Sequence, residues 1–417
     1  MISNAENYTK VIFRWTFFIA CFALPIVVPH IHGKLVALMC VLGALNYKSW
    51  NLTSVAKHRS YLSLLFAFFA LYVVGLTYSS NLTQGLANLE SLGPLIVLSV
   101  FLLINGNELR PISDLGLICF TAGVISLNLL SLIFISYDVW DPQNLQSNLR
   151  LANNAIVKIH PAFLSMYISI SILFLFDRYL PLHSTNRVRV GWVLFGLTVL
   201  VVFLIWINSR PGIFCFFTAA VFYIFSKYKA SARVKALLVL SVILIVIVAI
   251  PFSRKRFIDA PLQVLQGSVS EQELINSNSA PIVARKHIIQ SSIDLLKWPE
   301  IIYGYGTGDG KDELHKSFVA KGYMELAEAG MDAHNEYFAE LHRHGLIGLS
   351  LLIALLGYVF VYARQTNAPL FGSFIILFVT TAIFENIFSA QKGATFFALL
   401  CPVLMIYHQQ YSIRTQG

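Results

Sequence analysis

The sequence predicts an all-α polytopic membrane protein, and three observations support that fold class. Hydrophobic residues make up 57% of the 417 residues, charged residues make up 12%, and the mean hydropathy is +0.68. The apolar residues gather into runs near the roughly 20 residues that a helix needs to cross a bilayer. Lys and Arg concentrate in alternate short loops between these runs, which is typical of membrane proteins with many spans.

About twelve of these apolar runs are candidate transmembrane helices. The fourth is short and starts at Gly93-Pro94, so we expect it either to extend into the weakly apolar segment before it or to be re-entrant. The runs cover approximately residues 11–29, 34–50, 60–77, 92–104, 115–136, 160–177, 190–207, 211–228, 235–252, 344–363, 369–389 and 393–409. The chain therefore divides into helices 1–9 in residues 1–252, a large polar loop in residues 253–343, and helices 10–12 in residues 344–417.

The distribution of basic residues predicts the orientation. With the N-terminus inside, the short cytoplasmic loops hold 14 Lys and Arg, and the short outer loops hold 5. Both termini are then cytoplasmic, and the 253–343 loop lies on the periplasmic side of a bacterial inner membrane. This bias explains the net charge of +9, so we expect the bilayer and no nucleic acid as a partner. All five cysteines fall in apolar runs without a CxxC pair, which predicts neither a disulfide nor a thiolate metal site.

Residues 281–298 of the loop predict an amphipathic helix that carries an arginine in an unusual position. Arg285 is in phase with the apolar residues Ile282 and Ile289. A guanidinium on a buried face must meet an anion or a wet cavity. Snorkelling at the membrane surface or a structural ion pair would also explain Arg285.

A second loop helix is predicted from about Ala333 through Arg343, with Asp332 as a possible cap. His334 would share a face with the apolar residues Tyr337, Phe338 and Leu341. In the first helical turn, the positive end of the helix dipole would keep its imidazole neutral and able to accept a proton. A hydrogen-bonded interfacial histidine is the alternative interpretation.

The short connection from Asn208 to Gly212 holds a third candidate. Arg210 is the single charge between two strongly apolar helices, and its planar guanidinium suits a phosphate because it can donate two parallel hydrogen bonds. Capping of the preceding helix or contact with lipid headgroups would also explain it. The glycine-rich turn from Gly304 to Gly310 lacks the residues of a P-loop, and its neighbours Asp309 and Asp312 are a weak metal signal.

These motifs, in their order and spacing, resemble the bacterial O-antigen ligase and polymerase family, and the resemblance spans essentially the whole chain. Pro211 is a mild departure, because many members have a small residue there. The motifs are Ser209-Arg210-Pro211-Gly212, Arg285, Gly304 to Asp309, His334-Asn335-Glu336-Tyr337-Phe338 and Gly345-Leu346-Ile347-Gly348.

The resemblance implies a membrane glycosyltransferase of the GT-C type. Such an enzyme moves a polysaccharide from undecaprenyl diphosphate to a sugar hydroxyl of the lipid A-core on the periplasmic face. Arg210 and Arg285 would bind the diphosphate, and His334 would be the base. We expect inversion at the anomeric carbon, with no metal and no cofactor.

Further residues are weaker candidates for substrate binding. Asn335 stands beside the proposed base, and Glu385, Asn386 and Lys392 lie near the outer ends of the last two spans, although Glu385 and Lys392 would equally form a structural pair. The outer loop before the sixth span adds Arg150, Lys158 and His160.

Three other functions stay open. An O-antigen or exopolysaccharide polymerase would share the chemistry but use another lipid-linked glycan as acceptor. A protein O-oligosaccharyltransferase is the next alternative, although the chain lacks a large extra outer domain. A transporter or lipid flippase would also use twelve helices, but charged residues are not strung along the middle of the spans.

Overall fold

The structure is a computed structural model that describes residues 2–47, 50–138, 156–157, 159–179, 187–266 and 280–414. Within these residues the regular structure is helical and contains no strand. The helices are α1 (Ile2–Ile26), α2 (Pro29–Ala44), α3 (Leu52–Lys57), α4 (Arg59–Leu76), α5 (Leu82–Ile104), α6 (Gly106–Leu109), α7 (Ser113–Asp138), α8 (Pro161–Tyr179), α9 (Arg187–Ile207), α10 (Arg210–Lys227), α11 (Ala230–Ala249), α12 (Pro251–Arg254), α13 (Ala260–Gln266), α14 (Ala280–Asp294), α15 (Glu300–Tyr303), α16 (Gly310–Ala320), α17 (Met324–Glu328), α18 (Glu336–Gln365), α19 (Pro369–Ala382) and α20 (Gln391–Arg414).

Each predicted apolar run coincides with a helix, but fewer helices qualify as membrane spans by length and hydropathy. Eight helical segments among the described residues are long and apolar enough: Tyr8–Ile26, Arg59–Leu76, Leu82–Ile104, Gly106–Phe134, Pro161–Tyr179, Val190–Ile207, Ala230–Ala249 and Glu336–Gln365. Two shorter apolar helices are Pro29–Ala44 and Pro369–Ala382. The all-helical, multi-pass fold class is therefore confirmed, whereas the count of twelve stays a prediction.

The long helices pack around a core rich in aromatic side chains. Helix α1 packs on α7, α5 on α20, and α10 on α19. Rings such as Phe374, Phe378 and Phe397 lie within 6.3 Å of one another between α19 and α20. This packing fixes the relative positions of the helix ends that carry the polar residues described below.

Two predicted spans have different ends in the structure. The fourth run extends back to Leu82 with Pro94 inside the helix, which agrees with the first of the two predicted possibilities. The eleventh run was predicted to reach residue 389, but α19 ends at Ala382. The polar pair Glu385 and Asn386 consequently lies in the turn that leads to α20, and not in a helix.

The loop helices α14, α16 and α17 form a small core of their own. Ile288 of α14, Leu314 and Phe318 of α16, and Leu326 of α17 are all less than 9% exposed and belong to one cluster. The His287 and Tyr323 rings stack with centroids 4.0 Å apart. The part of the polar loop from α14 onward is thus a packed unit that holds its side chains in fixed positions.

Helix α18 joins this loop unit to the membrane helices through a kink. The predicted short helix and the predicted tenth span are two helices that meet at this kink, where Gly345 has φ +60° and ψ −153°. A Cβ on Gly345 would lie 2.4 Å from the backbone of Ile302, so this close approach also requires glycine.

Candidate active site

Glu385 lies at the centre of a charged cluster in the turn between α19 and α20. Its Oε1 lies 3.4 Å from Arg285 Nη2 and 3.5 Å from His160 Nδ1, and its Oε2 lies 3.3 Å from His334 Nδ1. The Glu385 side chain is only 7% exposed. One buried carboxylate therefore brings together residues that the sequence separates by up to 225 positions.

Arg285 reaches the cluster from α14. Its Nη1 donates a hydrogen bond to the backbone carbonyl of Phe384 at 3.1 Å, and its guanidinium carbon lies 5.8 Å from the centroid of the Phe384 ring. The Arg285 side chain keeps 35% of its surface exposed. The guanidinium is thus held on two sides and still accessible to a ligand.

The prediction of which side of α14 is buried is wrong. Ile289 and Ile293 are exposed by 44% and 52%, whereas Val283 and Ile288 are buried. The physical reason is that α14 packs its Ile288 side against α16 in the small loop core. Arg285 is half-buried because it turns toward Glu385, and not because it interrupts an apolar stripe.

His334 precedes helix α18 and does not belong to its first turn, so the predicted helical position is wrong. Asn335 is the N-cap, since its side chain accepts a hydrogen bond from the Phe338 N–H at 3.1 Å. His334 itself adopts φ +42°, and its N–H donates to Asp332 Oδ1 at 2.9 Å. Asp332 is therefore not the cap. A non-glycine residue in the left-handed conformation is uncommon, and such residues cluster at functional sites.

The electrostatic surroundings of His334 also differ from the prediction. The hydrogen bond to Glu385 raises the pKa of His334 above its ordinary value of 6.5; burial and Arg285 oppose the increase, while the charges of Asp332 and Glu385 add to it. The pKa of His334 is thus raised, whereas the helix dipole was expected to lower it. Because a carboxylate only accepts hydrogen bonds, Nδ1 carries the proton in the neutral ring and Nε2 is the basic nitrogen.

Arg210 begins helix α10 and adds a second guanidinium near Arg285. The Ser209 side chain accepts a hydrogen bond from the Gly212 N–H at 3.3 Å and caps the helix. Burial, followed by the positive charge of Arg285, lowers the pKa of Arg210. In the described part of the chain Arg210 has neither a hydrogen bond nor an acidic partner. We call Arg210, Arg285, His334, Glu385 and His160 the open cluster.

The remaining predicted binding residues have different positions. Asn335 donates its backbone N–H to Asn386 Oδ1 at 2.7 Å, so it fixes the turn that carries Glu385. Arg150 and Lys158 lie outside the described residues. Lys392 is 5% exposed, and within the described residues its ammonium has no hydrogen-bond partner, so the alternative of a pair with Glu385 is not formed.

Asp309 and Asp312 have structural partners. Asp309 accepts hydrogen bonds from the backbone N–H groups of Ser80 and Asn81, both at 2.7 Å, and Asp312 accepts one from the Asn81 side chain at 2.7 Å. These bonds tie the start of α16 to the turn between α4 and α5. Across the described ranges, no group of three or more His, Cys, Asp or Glu residues could hold a metal.

A second charged group lies between α4 and α18, and the sequence reasoning missed it. Arg343 Nη1 lies 3.1 Å from Tyr72 Oη, 3.2 Å from Glu340 Oε1 and 3.5 Å from Glu336 Oε1. His344 Nδ1 lies 3.1 Å from Glu340 Oε2. Both glutamates, His344 and Tyr72 are at most 1% exposed, and Arg343 is 8% exposed. We call Tyr72, Glu336, Glu340, Arg343 and His344 the sealed network.

The sealed network is linked to the turn that carries the open cluster. Glu336 Oε2 accepts the Phe388 N–H at 2.7 Å, and Arg343 Nη2 donates to Ser389 Oγ. Buried charges need partners of opposite charge, and these contacts pair the glutamates with Arg343 while they position residues 384–389. The detectable sequence signal was the helical spacing of Glu336, Glu340, Arg343 and His344 on one face.

The glycine-rich turn closes the kink in α18. The N–H groups of Tyr305 and Gly306 donate to the carbonyls of His342 and Arg343 at 2.8 and 2.9 Å, which replaces helical hydrogen bonds lost at Gly345. A Cβ on Gly304 would lie 2.3 Å from the Arg343 carbonyl. The glycines therefore allow close backbone packing, and the contacts of this turn are structural.

A polar cavity of about 210 Å³ is lined by chain neighbours of His334 and Glu385, and not by the residues of the open cluster themselves. Asp332, one of its lining residues, lies 3.7 Å from His334 Nδ1, and another, Asn386, directly follows Glu385. The other lining residues come from the start of α5, the start of α16, Ala333, the part of α18 before its kink, and Ser389.

Comparison with known families gives a match over part of the chain. Residues 193–353 match a family model described as O-antigen ligase, a range that contains Arg210, Arg285 and His334. A search of curated proteins finds no match. The chain is a polytopic helical membrane protein, and the match confirms its resemblance to the O-antigen ligase family over residues 193–353.

Proposed function

We propose that this protein is an O-antigen ligase that transfers an undecaprenyl-diphosphate-linked polysaccharide to a sugar hydroxyl of the lipid A-core. One observation carries the proposal: two neighbouring guanidinium groups, one of them without an acidic partner in the described chain, stand beside a histidine held by a buried carboxylate. A diphosphate leaving group needs cations, and a hydroxyl nucleophile needs a base. The open cluster contains both.

In this mechanism Arg210 and Arg285 bind the diphosphate through parallel hydrogen bonds. His334 Nε2 removes the proton from the acceptor hydroxyl as its oxygen attacks the anomeric carbon. The bond from that carbon to the phosphate oxygen breaks, and undecaprenyl diphosphate leaves with the electron pair. Attack from the opposite side inverts the anomeric configuration, and no step needs a metal ion or a cofactor.

Glu385 has a positioning role in the proposal. Its hydrogen bond holds His334 through Nδ1, so that Nε2 faces the acceptor as a base. The carboxylate also stabilises the imidazolium that forms when the proton is transferred. His160, on the other oxygen of Glu385, keeps a side chain that is 50% exposed and is available to a substrate phosphate or sugar.

The proposed topology follows from the basic residues of the loops. Twelve helices would cross the bacterial inner membrane in the GT-C manner, with helices 1–9 in residues 1–252 and helices 10–12 in residues 344–417. Both termini would be cytoplasmic, and the 253–343 loop would be periplasmic. Reporter fusions at about residue 270 test this orientation, and cytoplasmic activity at that position would contradict it.

The lipopolysaccharide of a deletion strain tests the ligase activity. Loss of a ligase leaves lipid A-core without any O-antigen, because no preassembled chain is transferred. Loss of a polymerase instead leaves cores that carry one repeat unit. A ladder of normal length on the lipopolysaccharide would exclude both, and a glycosylation defect restricted to proteins would favour the oligosaccharyltransferase alternative.

A further inference from the structure

We infer that the polar cavity beside His334 binds a sugar ring of one of the two glycan substrates, an inference that rests on the proposed function. Its polar lining consists of Gln84, Asn88, Lys311, Asp332, His342, Arg343, Asn386 and Ser389. Its volume of about 210 Å³ is far more than the roughly 10–15 Å³ that a single water molecule needs. The cavity is therefore large enough for a small polar ligand.

The chemistry of the lining favours a sugar over a phosphate. Amide, hydroxyl, ammonium and carboxylate groups face the same space, so the wall offers both donors and acceptors. A sugar hydroxyl donates and accepts, whereas a phosphate only accepts and would be repelled by Asp332. Arg343 also borders the cavity, but its charge is balanced by Glu336 and Glu340.

The lining equally disfavours a lipid chain. Leu314 is the single large aliphatic residue among the lining residues, and the other apolar ones are alanines and a glycine. Several polar groups of the wall already pair with protein atoms, but an acyl or prenyl chain would still place hydrocarbon against the charged groups of Lys311 and Asp332, which costs free energy. The polar cavity thus differs in chemistry from the cation-rich side of the open cluster.

The position of the cavity relates it to the proposed reaction. Asp332 lines it and also accepts the His334 N–H at 2.9 Å, and Asn386 lines it beside Glu385. A ring held there would lie against the chain neighbours of His334 and Glu385, while the diphosphate lies on Arg210 and Arg285. Both the acceptor sugar and the first sugar of the donor have the required chemistry.

Paired variants of the full chain in nanodiscs test the inference. Gln84→Leu combined with Lys311→Met removes two polar groups from the wall while it keeps most of the side-chain volume. We expect the KM of one sugar-bearing substrate to rise about tenfold, as for the loss of one or two hydrogen bonds, with kcat within about twofold. Lys316→Met is the matched control, because Lys316 lies on the same helix with 70% exposure and pairs with Glu313.

The substrates distinguish the possible outcomes. A higher KM for lipid A-core assigns the cavity to the acceptor, and a higher KM for the donor, with unchanged affinity for sugar-free undecaprenyl diphosphate, assigns it to the first donor sugar. Unchanged KM values for both substrates, or weaker binding of the sugar-free diphosphate, would overturn the inference. Failure of the proposed function is a separate result, since the wild-type protein would then transfer no glycan.

Discussion

The open cluster and the sealed network are built from the same side chains, yet only one of them is arranged for binding. Each contains arginine, glutamate and histidine in mutual contact. In the sealed network every charge faces an opposite charge and is almost fully buried. In the open cluster Arg285 and His334 stay 35% and 27% exposed, and Arg210 has no acidic partner among the described residues.

The difference indicates why the open cluster, and not the sealed network, suits the proposed reaction. A buried, balanced group contributes specificity of folding, and removal of one member leaves an uncompensated charge. A half-exposed group with excess positive charge can take up an anion without first breaking its own contacts. Variants in the open cluster should therefore reduce transfer while the protein stays folded, and variants in the sealed network should reduce stability first.

The largest effect is expected for His334→Ala. Loss of the general base should lower the rate of glycan transfer by about 10²- to 10⁴-fold, with the melting temperature almost unchanged. A single-turnover transfer assay in nanodiscs measures the rate. His315→Ala is the control, because His315 is exposed on α16 within the same loop unit. Near-normal transfer by His334→Ala would remove His334 from the mechanism.

Arg343→Met should give the largest loss of stability. It leaves Glu336 and Glu340 buried without their cation, which costs about 3–5 kcal/mol of folding free energy. Thermal or denaturant unfolding in detergent measures the change. Arg364 lies on the same helix in an exposed position, so the folding free energy of Arg364→Met should stay within about 0.5 kcal/mol of wild type. An Arg343→Met protein that is fully stable but inactive would instead place Arg343 in the catalytic site.

Arg285→Lys should lower transfer by about 10- to 100-fold, although the charge is kept. The ammonium of lysine cannot reproduce the two parallel hydrogen bonds of a guanidinium to a phosphate. The measurement is the steady-state transfer rate at a limiting donor concentration. Lys286→Ala removes an exposed positive charge from the next position of α14 and should have little effect. An equal loss in both variants would indicate a general charge effect and no specific diphosphate contact.

The smallest predicted effect is a change in pH dependence for Glu385→Gln. The hydrogen bond to Glu385 raises the pKa of His334, so in the wild type the neutral base, and with it the rate, increases as pH rises through a value above 6.5. Replacing the carboxylate lowers this pKa. The acid limb of the kcat profile should therefore move to lower pH, although the maximal rate falls. A limb that moves to higher pH, or stays in place, would contradict the assigned role of Glu385.

Much of the fold could be predicted from the sequence, because an apolar run of sufficient length determines a helix by itself. Arg210, Arg285 and His334 were also predicted as one site, and the structure brings Arg210 near Arg285 and joins Arg285 and His334 through Glu385. The structural reasons given for two of them were wrong. Arg285 does not interrupt a buried apolar stripe, and His334 precedes its helix in a left-handed conformation.

The sequence could not separate the two groups of charges. Burial of Glu340 and Arg343 depends on α4 and on the glycine-rich turn, which lie more than 250 and about 35 positions away respectively. The central position of Glu385 similarly follows from tertiary contacts with three distant segments. Helical spacing showed that Glu336, Glu340 and Arg343 share a face, but it gave no information on what that face contacts.

Binding of undecaprenyl diphosphate, measured beside the transfer rate for Arg285→Lys and His334→Ala, tests the division of roles in the open cluster most directly. Arg285 should hold the diphosphate in the ground state, whereas His334 acts on the acceptor proton during the reaction. We predict that Arg285→Lys loses donor affinity and rate together, and that His334→Ala loses the rate but binds the diphosphate almost as tightly as wild type. Loss of donor affinity by His334→Ala in proportion to its loss of activity would contradict the account.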